Sequence, residues 1–328
     1  MCGDPPQPPA RPAPSPIMTD TAQRSDLVDP PSGPPEVSLL ARPVVVALAC
    51  LVVLAGLGWV YLGLMVAGMA GTGSAAAMGP GMGLFDLITG GVPLDGFAKA
   101  LAEAICSPSF GHHGGGAAEL VTLAGMWSAM ALAMMLPTAG PMILTYAEIA
   151  ATAARRGEPT VSPVALIVGY AGVWLAFALV AAAVQAGLAR LALLDPAMSS
   201  ASPLFSGAVF VGAGVYQFSP LKYACVTRCQ RPFPFFLLHW TSRAGGVVRL
   251  GMRQGLLCLG CCWAMMLVMF AVGVMNVVWM ALLGIVMGAE KIAVTTRFSK
   301  AIGVVFLLIG AWMIGDAVVA HWPAARAG

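Results

Sequence analysis

The sequence predicts an all-α fold, a polytopic membrane helix bundle of about seven transmembrane helices with a cytoplasmic N-terminus. Three observations predict it. Hydrophobic residues make up 59% of the 328 and charged residues only 9%, where a soluble domain carries about 25% charged. Several apolar runs reach the roughly 20 residues that a bilayer requires, and they are spaced too widely to form one buried core. Basic residues gather in the segments between alternate runs, as in cytoplasmic loops.

Residues 1–41 carry Pro5-Pro6, Pro8-Pro9, Pro30-Pro31 and Pro34-Pro35 among Ser, Asp and Arg. With so little to bury they read as a disordered tail. The first apolar run, 43–66, then lies too far from Met1 for an ordinary cleaved signal peptide and is expected to remain as an anchor. Beyond it, Met65, Met69, Met78 and Met82 fall within 18 residues, paired at i+4 on either side of a Gly/Ala linker. Thioethers so arranged resemble Cu(I) ligands where cysteines would be oxidised, against the alternative of a helix end and a glycine loop. A weakly apolar stretch, 84–105, is expected on the membrane surface and ends at Cys106; His112 and His113 follow in a glycine tract that reads as a solvated loop sooner than a metal site.

The second run, 119–149, places Met126, Met130 and Met134 every four residues, a ridge on one face. Pro137 and Pro141 should kink it and free backbone carbonyls, which a membrane tolerates only where neighbours or water satisfy them. Glu148 near its inner end is read as a solvated carboxylate. The third run, 163–191, has Gln185 as its strongly polar interior residue, and the fourth spans 203–218. Cys225 and Cys229, at i and i+4, share a face if that helix continues past Pro220. Residues 222–253 form a basic connector with Phe233, Phe235, Phe236 and Trp240 at the interface. The apolar stretch from Gln254 exceeds one span and divides at 273–276 into a fifth helix and a short sixth that ends at Glu290-Lys291; the seventh is 301–320. With that division 14 of the 17 basic residues face the cytoplasm, leaving Lys99, Arg190 and Arg326 outside. The positive-inside rule thus favours seven spans.

The chemistry gathers at the head of the fifth helix. Cys258, Cys261 and Cys262 stand at i, i+3 and i+4, so three sulfurs share one helical face, and Met265, Met266 and Met269 follow one to two turns on. Thiolate and thioether ligands select soft ions, Cu(I) above all. The bland alternative is that Cys and Met merely fill a core. The topology brings Cys225 and Cys229 to the same side as Cys258, so five thiols could converge across one helix contact. No Gly-x-x-x-x-Gly-Lys-[Ser/Thr] run, Gly-x-Ser-x-Gly elbow, His-Glu-x-x-His pair or Asp-Lys-Thr-Gly phosphorylation motif is present. The chain is read as a non-enzymatic binding protein.

Three segments carry a family resemblance. Met126-Trp127-x-x-Met130-x-x-x-Met134-Met135-x-Pro137 is the first. Gly214-x-Tyr216-Gln217-x-Ser219-Pro220-Leu221-Lys222-x-x-Cys225-x-x-x-Cys229 is the second. The third runs from Gly260-Cys261-Cys262-Trp263-x-Met265-Met266 through Met275-Asn276-x-x-Trp279-Met280 to Glu290-Lys291. Together they resemble domain of unknown function 2182, described as predicted metal-binding integral membrane proteins, some named copper chaperones associated with maturation of a polyphenol oxidase. The resemblance covers about residues 43–320. It implies Cys225, Cys229, Cys258, Cys261 and Cys262 as metal ligands, with Met126 and Met130 as partners; Met266 joins them from the soft-ligand stripe.

The resulting expectation has three parts: a tail over 1–41, a transmembrane metal-binding domain over 42–322 and a short C-terminal tail over 323–328. The domain would sit in a bacterial inner membrane, bind copper as Cu(I), and supply a copper-dependent client enzyme, with no nucleic-acid partner. Two rivals stand beside it: a structural subunit without metal whose small residues serve helix packing, and a thiol–disulfide redox protein using Cys261-Cys262.

Overall fold

A computed structural model describes residues 43–70, 79–84, 117–194, 202–293 and 295–321, apart from a few side chains at helix ends. The proline-rich tail, Met78, the stretch 85–105, Cys106, His112, His113 and residues 322–328 lie outside the described residues, as does the side chain of Met69. The described residues belong to one compact unit.

The architecture is all-α. In chain order the helices are α1 (Pro43–Ala70), α2 (Ala117–Arg155), α3 (Pro163–Arg190), α4 (Pro203–Tyr216), α5 (Pro220–Cys229), α6 (Pro232–Leu238), α7 (Ala244–Leu267), α8 (Met269–Val272), α9 (Val277–Ile292) and α10 (Thr296–His321). α2 packs between α1 and α3, α7 packs on α3 and α5, α10 pairs with α4, and α9 lies against α2. Large apolar side chains such as Val52, Leu57, Leu179, Val180, Leu308 and Trp312 remain exposed on the outside of the bundle, as a hydrocarbon surrounding permits.

Among the described residues five helices, α1, α2, α3, α7 with α8, and α10, are long and apolar enough to cross a membrane. Counting α4 and α5 as one broken span makes six. α9 has 16 residues, about 24 Å at 1.5 Å per residue, short of the roughly 30 Å hydrocarbon core. Where the sequence leads one to expect seven spans, the described residues therefore supply five or six by length. The break at 273–276 stands where the sequence places it: Gly273 adopts φ 104°, and Asn276 caps α9 by accepting from Trp279 N at 3.1 Å.

The fourth helix ends at Tyr216, close to the expected 203–218, and does not continue past Pro220; Ser219 caps a new helix, accepting from Lys222 N at 3.1 Å, and α5 departs from α4 at 65°. The missing N–H of Pro220 is harmless at a first helical position and disruptive inside a helix, which is why the chain restarts there. The supposed basic connector is mostly helical, with α7 beginning at Ala244 rather than at Gln254.

α2 keeps its helix through both prolines. Pro137 deprives the Ala133 carbonyl of its usual donor, and Trp59 Nε1 from α1 donates to that oxygen at 3.1 Å. The α3–α7 contact is set by glycine. A Cβ on Gly169 would stand 2.0 Å from Val248 O, and one on Gly251 2.1 Å from Leu166 O. The two backbones touch, a geometry that small residues make available in membranes.

Candidate metal centre

The close α3–α7 approach presses one face of α7 into the bundle, and that face carries the cysteines. Cys258, Cys261 and Cys262 are buried to 2% exposure or less, and their Sγ atoms lie within 4.8 Å of one another. Metal–sulfur bonds of about 2.3 Å separate two thiolates on one ion by up to about 4.6 Å, so the trio is already near ligating distance. Cys261 and Cys262 Sγ are 3.3 Å apart, and the Cys261 thiol donates to Cys258 O at 3.1 Å.

Around the trio stand groups that the sequence reading did not assign to a site. Lys291 Nζ, from the end of α9, donates to Cys258 Sγ at 3.0 Å and to Thr138 Oγ1 on α2. Tyr170 Oη on α3 is 3.0 Å from Cys258 Sγ and 3.1 Å from Met135 O. On the other flank, Lys222 Nζ of α5 donates to Cys261 O at 3.1 Å and to Glu290 Oε2 at 2.8 Å. That ion pair is buried, with 1% of each side chain exposed. Gln230 Nε2 closes the end of α9, donating to Glu290 O at 2.8 Å and Ala293 O at 2.6 Å. Lys222, Glu290 and Lys291 were legible as residues in the resemblance segments. Their mutual placement was not.

The other predicted ligands fall into two groups. Cys229 is half-buried near the end of α5. It also lines, with Cys258, Tyr170, Lys291, Thr138 and Gln254, a cavity of about 40 Å³, room for a single water or ion. Gln254 Nε2 is buried there without a partner. Cys225 sits behind the trio against Gly260, where an added Cβ would meet its sulfur at 2.6 Å. Both cysteines lie on α5, so the helix restart still brings them to α7.

The methionines occupy a deeper level. Met126, Met130 and Met266 are all fully buried. Met130 and Met126 precede Thr138 by eight and twelve residues, about 12 and 18 Å along α2. Their level is that of Trp127, whose ring lies 5.2 Å from Phe270 and whose Nε1 donates to Gln185 Oε1 at 2.6 Å. Met266 lies one turn beyond Cys262, between the two levels. At the far end Met65 and Met82 are buried as well, and the 79–84 turn is tied down by Asn276 Nδ2 donating to Pro80 O at 2.9 Å. Glu148 is exposed on α2, as expected of a solvated carboxylate.

Comparison with known proteins adds one finding. The family model of the PpoB2 copper chaperones matches residues 124–313, more than half the chain. The chain belongs to the PpoB2 copper chaperone family. The matched segment runs from α2 into α10 and takes in all five cysteines discussed above; α1 precedes it. No curated protein and no solved structure matches the chain. For this PpoB2 family member the donor set fits a soft ion: three convergent buried sulfurs, with no carboxylate or imidazole converging on them among the described residues, and a flanking cation able to offset thiolate charge.

Proposed function

We propose that the protein is an integral membrane Cu(I) chaperone that holds its cargo on Cys258, Cys261 and Cys262 and passes it to a copper-dependent client. The observation that carries this reading is the buried trio of sulfurs within 4.8 Å of one another. Cys229 stands at the cavity mouth and serves as the exchange ligand, taking the ion to or from the trio, because one thiolate can displace another without the ion being hydrated in between. Cys225 supports this pair from behind Gly260. Lys291 holds the Cys258 sulfur in place through the 3.0 Å contact and offsets the charge of the thiolate set. Met266, Met130 and Met126 offer weaker neutral ligands deeper in the bundle.

Orientation follows from charge. The thiol end lies beside the basic segment that holds Arg228, Arg231, Arg243, Arg249 and Arg253, which the positive-inside rule assigns to the cytoplasm of a bacterial inner membrane, with the N-terminus on the same side. Handover would then take place on the cytoplasmic face.

The test is metal content by plasma mass spectrometry on detergent-purified protein loaded with Cu(I) anaerobically, beside a Cys258→Ser, Cys261→Ser, Cys262→Ser variant shown to be folded by its elution and helicity. Near-stoichiometric copper in the parent and loss of at least nine-tenths of it in the variant is the expected result. Equal copper in both, or none in either, would remove the thiol trio as a copper site.

A further inference from the structure

A second cavity opens where α4 gives way to α5 beside the start of α10. Its volume is about 430 Å³, and it is lined by Gln217, Ser219, Thr227, Arg231, Thr295, Thr296, Ser299 and Lys300 together with the stem of Lys222. That volume falls within the range of ordinary small-molecule sites. No carboxylate is among the lining residues. The Lys222 ammonium is engaged by Glu290, whereas Arg231 and Lys300 are exposed at the rim.

Two helices present their N-termini here. α5 starts at Pro220 and α10 at Thr296, and the first-turn N–H groups of each have no acceptor within their own helix. Those donors and the helix dipoles favour negative charge. A further observation points independently to a polar ligand. Gln217 is 5% exposed, faces this cavity, and neither its Nε2 nor its Oε1 has a hydrogen-bond partner. It is held there by a close fit, since a Cβ on Gly303 of α10 would stand 2.8 Å from Gln217 Cβ. A buried amide without partners is costly, and a polar ligand would relieve that cost.

We propose that this cavity is an anion site for a phosphate group. Gln217 Nε2, the hydroxyls of Thr296 and Ser299 and the first-turn N–H groups of α10 donate to its oxygens, and Arg231 and Lys300 supply the charge. The phosphate is either a lipid headgroup or a free phosphate. The cavity lies at the basic end of a membrane bundle, where lipid headgroups are at hand, and Leu221 and Tyr223 beside it are exposed to receive acyl chains.

The experiment uses the full chain in a phosphate-free glycoside detergent and reads thermal unfolding against three probes: dihexanoyl phosphatidic acid, inorganic phosphate, and dihexanoyl glycerol as the phosphate-free control. Phosphatidic acid is expected to raise the unfolding temperature saturably, with an effect that weakens as salt is raised. Dihexanoyl glycerol should do nothing. The Arg231→Gln, Lys300→Gln double variant should need at least tenfold more ligand, and Lys300→Glu should abolish the response. Both positions are exposed, so the variants should fold. A shift with phosphatidic acid alone assigns the site to a headgroup, and an equal shift with inorganic phosphate assigns it to the free ion. No shift with either, an equal shift with dihexanoyl glycerol, or an undiminished response in both variants would overturn the proposal.

Discussion

Sulfur lines the bundle at two levels whose surroundings are opposite. At the Cys258 level it is thiol sulfur, and charged groups are paired beside it: Lys291 on Cys258 and Thr138, Lys222 on Glu290. At the Met126 level it is thioether sulfur, and the polar groups there are neutral, Gln185 on Trp127 and, further on, Asn276 on Pro80. The difference follows from the charge of the ligand. A thiolate buried in a low-dielectric bundle requires a compensating cation, while a thioether carries no charge and requires none. Charge therefore separates the two levels: it accompanies the thiols and is absent beside the thioethers.

The largest effect should come from breaking the ion pair of the thiol level. Lys222→Met leaves Glu290 buried and unpaired and is expected to lower stability by about 3–5 kcal/mol, read as the unfolding midpoint in detergent. Lys222→Met with Glu290→Leu should recover most of that loss, because the pair is costly to break singly and near neutral to replace together. If the single variant unfolds no more easily than its parent, charge is not what distinguishes the two levels.

Asn276→Leu attacks the other end. It removes the cap of α9 and the tether to Pro80, a loss of about 1–3 kcal/mol, and copper bound per chain should not change, since the site lies at the opposite level. Gly260→Ala sharpens the boundary of the thiol level. The new methyl would press on Cys225 Sγ, with an expected cost of about 1–3 kcal/mol for overpacking and faster alkylation of Cys225 by a maleimide, measured by mass spectrometry. The smallest effect belongs to Met126→Leu with Met130→Leu. These swaps conserve volume and should each cost less than about 1.5 kcal/mol, with copper stoichiometry kept and only its rate of exchange altered.

Much of this contrast is readable in the chain. The i, i+3, i+4 spacing of Cys258, Cys261 and Cys262 defines a shared face on any helix, and the trio occupies it. The four-residue interval of Met126 and Met130 likewise defines a ridge, which is buried. Pro137 announced a freed carbonyl, and a neighbour does satisfy it. The connector after α4 misled because its arginines, Phe233 and Trp240 resemble an interfacial loop, whereas Pro220 and Pro232 are helix starters there. α9 misled in length, because the charge rule counts which side a segment ends on and not how far it reaches.

The sequence by itself determined the apolar runs that become α1, α2, α3 and α10, the break at 273–276 and the three-sulfur face, since each depends on residues within a few positions of one another. Only the tertiary structure decided which groups serve that face. Tyr170 meets Cys258 across 88 positions and Lys222 meets Glu290 across 68. Such meetings are fixed by the depth and rotation at which one helix seats against another. Here that seating is set by backbone contact at Gly169 and Gly251, a property of the packed pair that no local periodicity records.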